Sequence, residues 1–185
     1  MEWTNPATLH SIEFTCGYCG KVVATRMGFY AGDAQQCSIR ICPHCTKPTY
    51  FDVAANQQIP GVAPGSEVGS LPDDVGSLYR EARNCIAVSS YTAAVLACRK
   101  LLMHLAVSQG APEGQSFVSY VDYLAAQGYV PPNGRAWVDH IRTKGNEANH
   151  EIKLMGKNDA EELIVFAEML LKFMFEFPGR IPKLK

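Results

Sequence analysis

The feature that most limits how this chain can fold is a pair of Cys-x-x-Cys knuckles, Cys16-Gly17-Tyr18-Cys19 and Cys42-Pro43-His44-Cys45, with 22 residues between them. That interval is long enough for a hairpin, and a hairpin would bring the two knuckles face to face. Four thiolates so placed suit tetrahedral zinc, whose Zn–S bonds are ~2.3 Å. Every ligand is then a cysteine and no coordination position stays open, so the zinc is expected to be structural, one Zn2+ per chain held by Cys16, Cys19, Cys42 and Cys45. Glycine within or after a knuckle (Gly17, Gly20) lets the backbone turn tightly enough for amide N–H groups to point at the sulfurs. A redox dithiol is the rival reading. Such pairs usually open a helix in a strand–helix unit, and no helical pattern follows either knuckle. Cys37 and His44 are spare donors nearby, and Cys37 reads as a small packing residue rather than a further ligand.

Around the knuckles the pattern is that of short strands. Ser11-Ile12-Glu13-Phe14 and Ser38-Ile39-Arg40-Ile41 alternate polar and apolar, and Thr49-Tyr50-Phe51-Asp52-Val53 is rich in strand formers. Knuckles at strand ends in this spacing resemble a zinc ribbon, and the ribbon is expected over residues 1–58. So small a segment buries little apolar area and should lose its fold without metal. Its charge is balanced, with four basic residues (Lys21, Arg26, Arg40, Lys47) against four acidic ones (Glu2, Glu13, Asp33, Asp52), and the rest of the chain carries 13 basic and 14 acidic residues. Neither part has the basic excess that drives nucleic-acid binding through phosphate neutralisation. No run of eighteen apolar residues exists to span a bilayer. Met1–Pro6 shows no basic region leading into an apolar stretch, so a reducing, cytoplasmic setting is expected, where paired cysteines mean metal more often than disulfide.

Residues 59–70, rich in proline, glycine and serine, read as a linker. Composition then shifts to helix, and residues 71–185 are expected to form an all-α bundle of five helices, making the whole an α+β chain. Pro72-Asp73-Asp74 is a helix start, followed by Val75, Tyr79, Ala82 and Ile86 on one face. A second helix from about Ser90 carries Ala94, Val95, Cys98, Leu101, Leu102 and Leu105, and a third covers roughly Ser116 to Gln127. The fourth begins near Pro132. The fifth starts at Asn158-Asp159-Ala160-Glu161, with Asn as its cap, and stops at Pro178-Gly179. No internal repeat is evident.

The fourth helix contains Ile141-Arg142-Thr143-Lys144-Gly145-Asn146-Glu147-Ala148-Asn149-His150. At 100° per residue Asn146 lies ~40° from His150, whereas Ile141 lies ~180° away, so the two polar residues share a face turned from the core. Imidazole there could serve as a general acid or base, with Asn146 orienting it and Arg142 holding an anion. A solvated polar helix end accounts for the same pattern. This stretch, together with Tyr79-Arg80-Glu81-Ala82, Ala93–Leu102 and Asn158–Glu161, resembles a bacterial domain-of-unknown-function family numbered 4145, over roughly residues 71–180. That family is similar to HEPN helical domains, often dimeric and found in toxin and defence systems. The resemblance therefore implies a homodimer through the helical part, with a protein or RNA partner and a role in defence or stress response. Active HEPN members are metal-independent ribonucleases with an Arg-x(4–6)-His motif. Asn146 and His150 match its Asn-x-x-x-His part, Gly145 stands at the motif's Arg position, and Arg142 is the arginine nearby. The resemblance thus implies either a binding accessory or an RNA endonuclease using Arg142, Asn146 and His150.

Overall fold

Five strands and then helices, the α+β layout expected from the sequence, make up the computed structural model, which describes residues 2–32, 36–131, 134, 136–141 and 154–181. The chain divides into two compact units, Met1–Ala63 with Ala87–Ser89 and Pro64–Ile86 with Ser90–Lys185. Among the described residues no helix is long and apolar enough to cross a membrane.

The first unit is an antiparallel sheet in sequence order, β1 (Ala7–Thr15), β2 (Val22–Ala31), β3 (Cys37–Ile41), β4 (Pro48–Asp52) and β5 (Gln57–Ile59). Strand β2 divides its pairing. Val22–Gly28 pair with β1 and Gly28–Ala31 with Cys37–Arg40 of β3, so the two pairings overlap at Gly28. A register shift interrupts the β1–β2 pairing between Thr8 and Ile12. Gly28 pairs with Ala7 on one side and Arg40 on the other, and a Cβ there would fall 2.1 Å from the Ile39 carbonyl oxygen, so the close approach needs glycine. The core of the unit is small. Phe14, Cys16 and Cys42 are buried, flanked by Ile12, Val23 and Phe51, with the Phe14 and Phe51 rings edge to face at 4.9 Å. Two of the three buried members of this cluster are knuckle cysteines, so the candidate metal site is built into it, while Leu9 and Ile41 are buried elsewhere in the sheet.

The second unit contains α1 (Asp73–Ala87), α2 (Tyr91–Ser108), α3 (Phe117–Ala126), α4 (described over residues 136–141) and α5 (Lys157–Leu171), continued by a π turn (Lys172–Glu176) and α6 (Phe177–Arg180). The 3.6-residue stripes read from the sequence are its core. Ala94, Val95, Cys98, Leu101, Leu102 and Leu105 of α2 meet Leu163, Ile164, Phe166, Ala167, Leu170 and Leu171 of α5, with Tyr79 and Ile141 beside them. Two boundaries differ from expectation. Helix α5 begins at Lys157 behind Gly156, whose N–H donates to the Asp159 carboxylate at 3.0 Å, so Asn158 lies inside the first turn and does not cap it. Nor does the helix stop at Pro178. Proline lacks an N–H and its ring collides with the carbonyl four residues back, and the wider π turn just before it opens the spiral where that clash would fall.

The proline- and glycine-rich segment is held in its second half by side chains of this unit. Arg83 donates to the carbonyls of Pro64 (2.8 Å) and Gly65 (2.9 Å) and to Glu67 (2.6 Å), and Tyr79 Oη donates to the Ser66 carbonyl at 3.1 Å. Glu168 accepts from Ser66 N at 3.0 Å and from Lys172, and Glu176 accepts from Gly69 N at 3.1 Å. Burial alone would raise the Glu168 pKa, but the Lys172 ammonium and the Ser66 N–H outweigh it and hold the carboxyl below its ordinary range. A depressed folded-state pKa adds stability that is present above the unfolded carboxyl's range and lost as pH falls through the folded value. Glu168→Gln is expected to cost about 1–2 kcal/mol at neutral pH. Urea unfolding at a series of pH values should show wild type and variant converging on acidification below about pH 4.

Candidate metal centre

The β1–β2 and β3–β4 turns carry the two knuckles, and each is built the same way. Cys16 N–H donates to the Lys21 carbonyl at 2.9 Å and Gly20 N–H to the Cys16 carbonyl at 2.8 Å. In the second, Cys42 N–H donates to the Lys47 carbonyl at 3.0 Å and Thr46 N–H to the Cys42 carbonyl at 2.9 Å. The residue after each second cysteine is left-handed, Gly20 at φ 66° and Thr46 at φ 59°. Cys-x-x-Cys-(Gly/Thr)-Lys is therefore a six-residue unit used twice, a short internal repeat that the sequence reading passed over. Glycine adopts that conformation freely, while an L-residue with a Cβ gives up ~1–2 kcal/mol. Thr46 is tied down in compensation: its hydroxyl donates to the Cys45 carbonyl at 2.7 Å, and its own carbonyl accepts from Trp3 Nε1 at 2.8 Å.

The four sulfurs all lie within 4.8 Å of one another and could hold a metal ion. Cys16 Sγ is 3.7 Å from Cys45 Sγ, and Cys19 Sγ is 3.8 Å from Cys42 Sγ. A tetrahedron with ~2.3 Å metal–sulfur bonds has edges of ~3.8 Å, so these two crossing pairs already have its dimensions. Cys16 and Cys42 are fully buried, and Cys19 and Cys45 partly so.

Electrostatics point the same way. Burial pushes the Cys45 thiol up to about 12, against the pull of the Lys47 N–H, and the three neighbouring sulfurs add to the rise. Cys19 is raised as well, chiefly by burial, with the Lys21 N–H opposing it. At Cys42 burial again raises the pKa, but the backbone N–H groups of Cys45 and His44, with Cys45 and Cys16 beside them, outweigh it and leave the thiol below its usual range. The amides aimed at the sulfurs are those that tight knuckle turns should supply. Four thiolates this close would repel one another strongly, and a divalent cation is the counter-charge that lets them deprotonate together. Lys47 Nζ sits 4.9 Å from the Tyr18 ring centroid, joining the second knuckle to the first.

The other residues singled out from the sequence fall elsewhere. Cys37 is not a member of the group, and its sulfur accepts from Tyr50 Oη at 3.2 Å. His44 is exposed and brings its backbone N–H, not its ring, to the site. Arg142, Asn146 and His150 lie outside the described residues. Sequence reasoning missed Thr46, Trp3 and the Lys47–Tyr18 contact. The repeated Gly/Thr-Lys after each cysteine pair was the available signal.

A family model described as DUF4145, a domain of unknown function, matches residues 80–185. No curated protein and no solved structure matches the chain.

Because Trp3 is hydrogen-bonded to the second knuckle, its fluorescence should report the site. The chain has two tryptophans, and a Trp137→Phe background leaves Trp3 alone. Stripping the metal with a strong chelator should shift its emission to the red, and adding back zinc should reverse the shift. Unchanged emission after elemental analysis shows the metal gone would mean that the knuckles stand without it.

Proposed function

We propose that this chain, which belongs to the DUF4145 family, is a zinc-binding accessory protein in which a ribbon stabilised by the metal accompanies a HEPN-like helical unit. The observation that carries the reading is the pair of sulfur–sulfur distances, 3.7 and 3.8 Å, in a cluster of four cysteines. Tetrahedral four-thiolate sites take zinc or iron, and zinc suits a site with a closed ligand shell and a purely architectural task. Cys16, Cys19, Cys42 and Cys45 would hold the ion, which supplies the charge that the sulfurs need to sit together. With no open coordination position the metal performs no reaction.

The helical unit, on this reading, pairs with a second copy and offers a surface to a protein or RNA partner in a cytoplasmic defence or stress response. The balanced charge of both parts of the chain, net −1 overall, favours a protein partner, because phosphate recognition rests on neutralisation by clustered lysine and arginine. A second reading has one observation in its favour, the Asn146-x-x-x-His150 spacing with Arg142 upstream. There His150 would transfer the proton at the RNA 2′-hydroxyl or leaving oxygen, Asn146 would position it, and Arg142 would stabilise charge on the phosphorus centre.

Two measurements decide. Elemental analysis of the purified chain should return about one zinc and no iron per molecule, and Cys42→Ser should abolish it. Mixed RNA incubated with the protein in EDTA should stay intact for wild type and His150→Ala alike. Cleavage by wild type that His150→Ala loses would establish the ribonuclease instead, and equal cleavage by both would identify a contaminant.

A further inference from the structure

The four knuckle sulfurs are matched across the site as well as gathered in it. Cys16 Sγ faces Cys45 Sγ at 3.7 Å and Cys19 Sγ faces Cys42 Sγ at 3.8 Å, so each contact joins the β1–β2 turn to the β3–β4 turn. A disulfide is ~2.05 Å long, so each sulfur has to move by only about 0.8 Å to form one. Each contact also sets a buried sulfur, Cys16 or Cys42, against a partly exposed one, Cys45 or Cys19. The exposed member is the one a small oxidant meets first, and its buried partner stands behind it as the resolving thiol. Cys37 takes no part, since its sulfur accepts from Tyr50 Oη at the opposite end of β3. The backbone suits the same pairing. Each knuckle is closed by its own main-chain hydrogen bonds, from Cys16 N–H to Lys21 and Gly20 N–H to Cys16 in the first, and from Cys42 N–H to Lys47 and Thr46 N–H to Cys42 in the second. A link between the turns leaves these bonds in place and fastens the two turns that a bound ion would fasten.

We propose that the cluster is a peroxide-responsive switch, in which oxidation replaces metal coordination by two crossing disulfides, Cys16–Cys45 and Cys19–Cys42, and the sheet unit stays closed without its metal. The inference rests on the zinc reading above and adds how that site is regulated. In each half of the reaction the thiolate of the partly exposed cysteine attacks one oxygen of the peroxide. The O–O bond breaks, the sulfur becomes a sulfenic acid, and the other oxygen leaves as hydroxide. The thiolate of the buried partner then attacks that sulfur, the S–S bond forms, and a second hydroxide leaves. Two sulfurs have together given up two electrons, and one peroxide, with two protons from solvent, has become two waters. Two peroxides therefore convert all four thiolates, and sulfurs joined in this way no longer hold the ion. A dithiol reductant supplies the electrons for the return.

The test treats the full-length, zinc-loaded Trp137→Phe protein with hydrogen peroxide at about two equivalents per chain. A chromogenic chelator should record the release of about one zinc per chain. Trypsin cuts after Lys21, Arg40 and Arg80 and spares Lys47, which precedes Pro48, so crossing disulfides hold peptides 1–21 and 41–80 together and leave Cys37 apart on peptide 27–40. Fragmentation should then assign Cys16 to Cys45 and Cys19 to Cys42. Trp3 emission is expected to stay where it is in the zinc-loaded protein, unlike the red shift expected when the reduced chain is stripped by a chelator, and dithiol reductant with zinc should restore the starting state. Zinc retained through the treatment, disulfides confined to single knuckles, a Cys16–Cys42 link, or zinc lost with Trp3 shifted to the red would each overturn the switch and leave the zinc site standing. A chain that carries no zinc as purified would overturn both.

Discussion

Four sulfurs meeting at tetrahedral spacing are the constraint on which the sheet unit depends. A meander of five strands with Leu9, Phe14 and Ile41 as its buried apolar residues besides the cysteines has little apolar area to set against the entropy of ordering some sixty residues. The knuckles change that balance in two ways. Cysteine is apolar enough to serve as core, and Cys16 and Cys42 do so fully buried. A metal held by the same atoms would cross-link strands that are far apart in sequence and confine the unfolded chain as a disulfide does. Strand β2 links the two knuckles, since its start follows the first and its end pairs with β3, which leads into the second.

The helical unit solves the opposite problem. It has ample apolar surface, and its difficulty lies in disposing of irregular backbone that carries polar groups. Residues 64–69 cannot form a helix or a strand, yet their carbonyls and amides lie against the bundle. Arg83, Tyr79, Glu168 and Glu176 each place a polar atom on that backbone. Arg83 is nearly buried, and its desolvation is offset by three hydrogen bonds and by the Tyr79 ring 5.5 Å away.

What could be read from the sequence was whatever a short-range rule governs. Cysteine spacing named the four residues whose sulfurs the fold gathers because tetrahedral coordination admits few spacings, and periodicity named the core residues of α1, α2 and α5 because a buried face must recur every 3.6 residues. Strand β2 was missed. Its pattern Val22-Val23-Ala24-Thr25-Arg26-Met27-Gly28 alternates poorly, and the register shift in its partner β1 falls along the same stretch. Strand β5 is three residues long, below what a pattern can declare. The helical start at Lys157 was misplaced by one residue because Asn158 is a good cap in isolation, whereas Gly156 with Asp159 reaching back serves here.

The positions where local rules fail are also the positions on which each unit turns. Gly28 is a poor strand residue, tolerated because a Cβ there would lie 2.1 Å from the Ile39 carbonyl oxygen. Thr46 is a poor left-handed residue, yet it closes the second knuckle and accepts the Trp3 bond that covers it. Pro178 is a poor helix residue, and the π turn that accommodates it also keeps Phe173 and Phe177 on one outward face. Natural sequences are locally consistent except where something other than local stability is being served. The proline is the informative case. A helix that merely had to end there would need no π turn, and no further turn carrying Arg180 and leading to Ile181. The backbone relaxes to continue past proline, and Phe173 and Phe177, each about half exposed, stay edge to face at 5.3 Å across that turn.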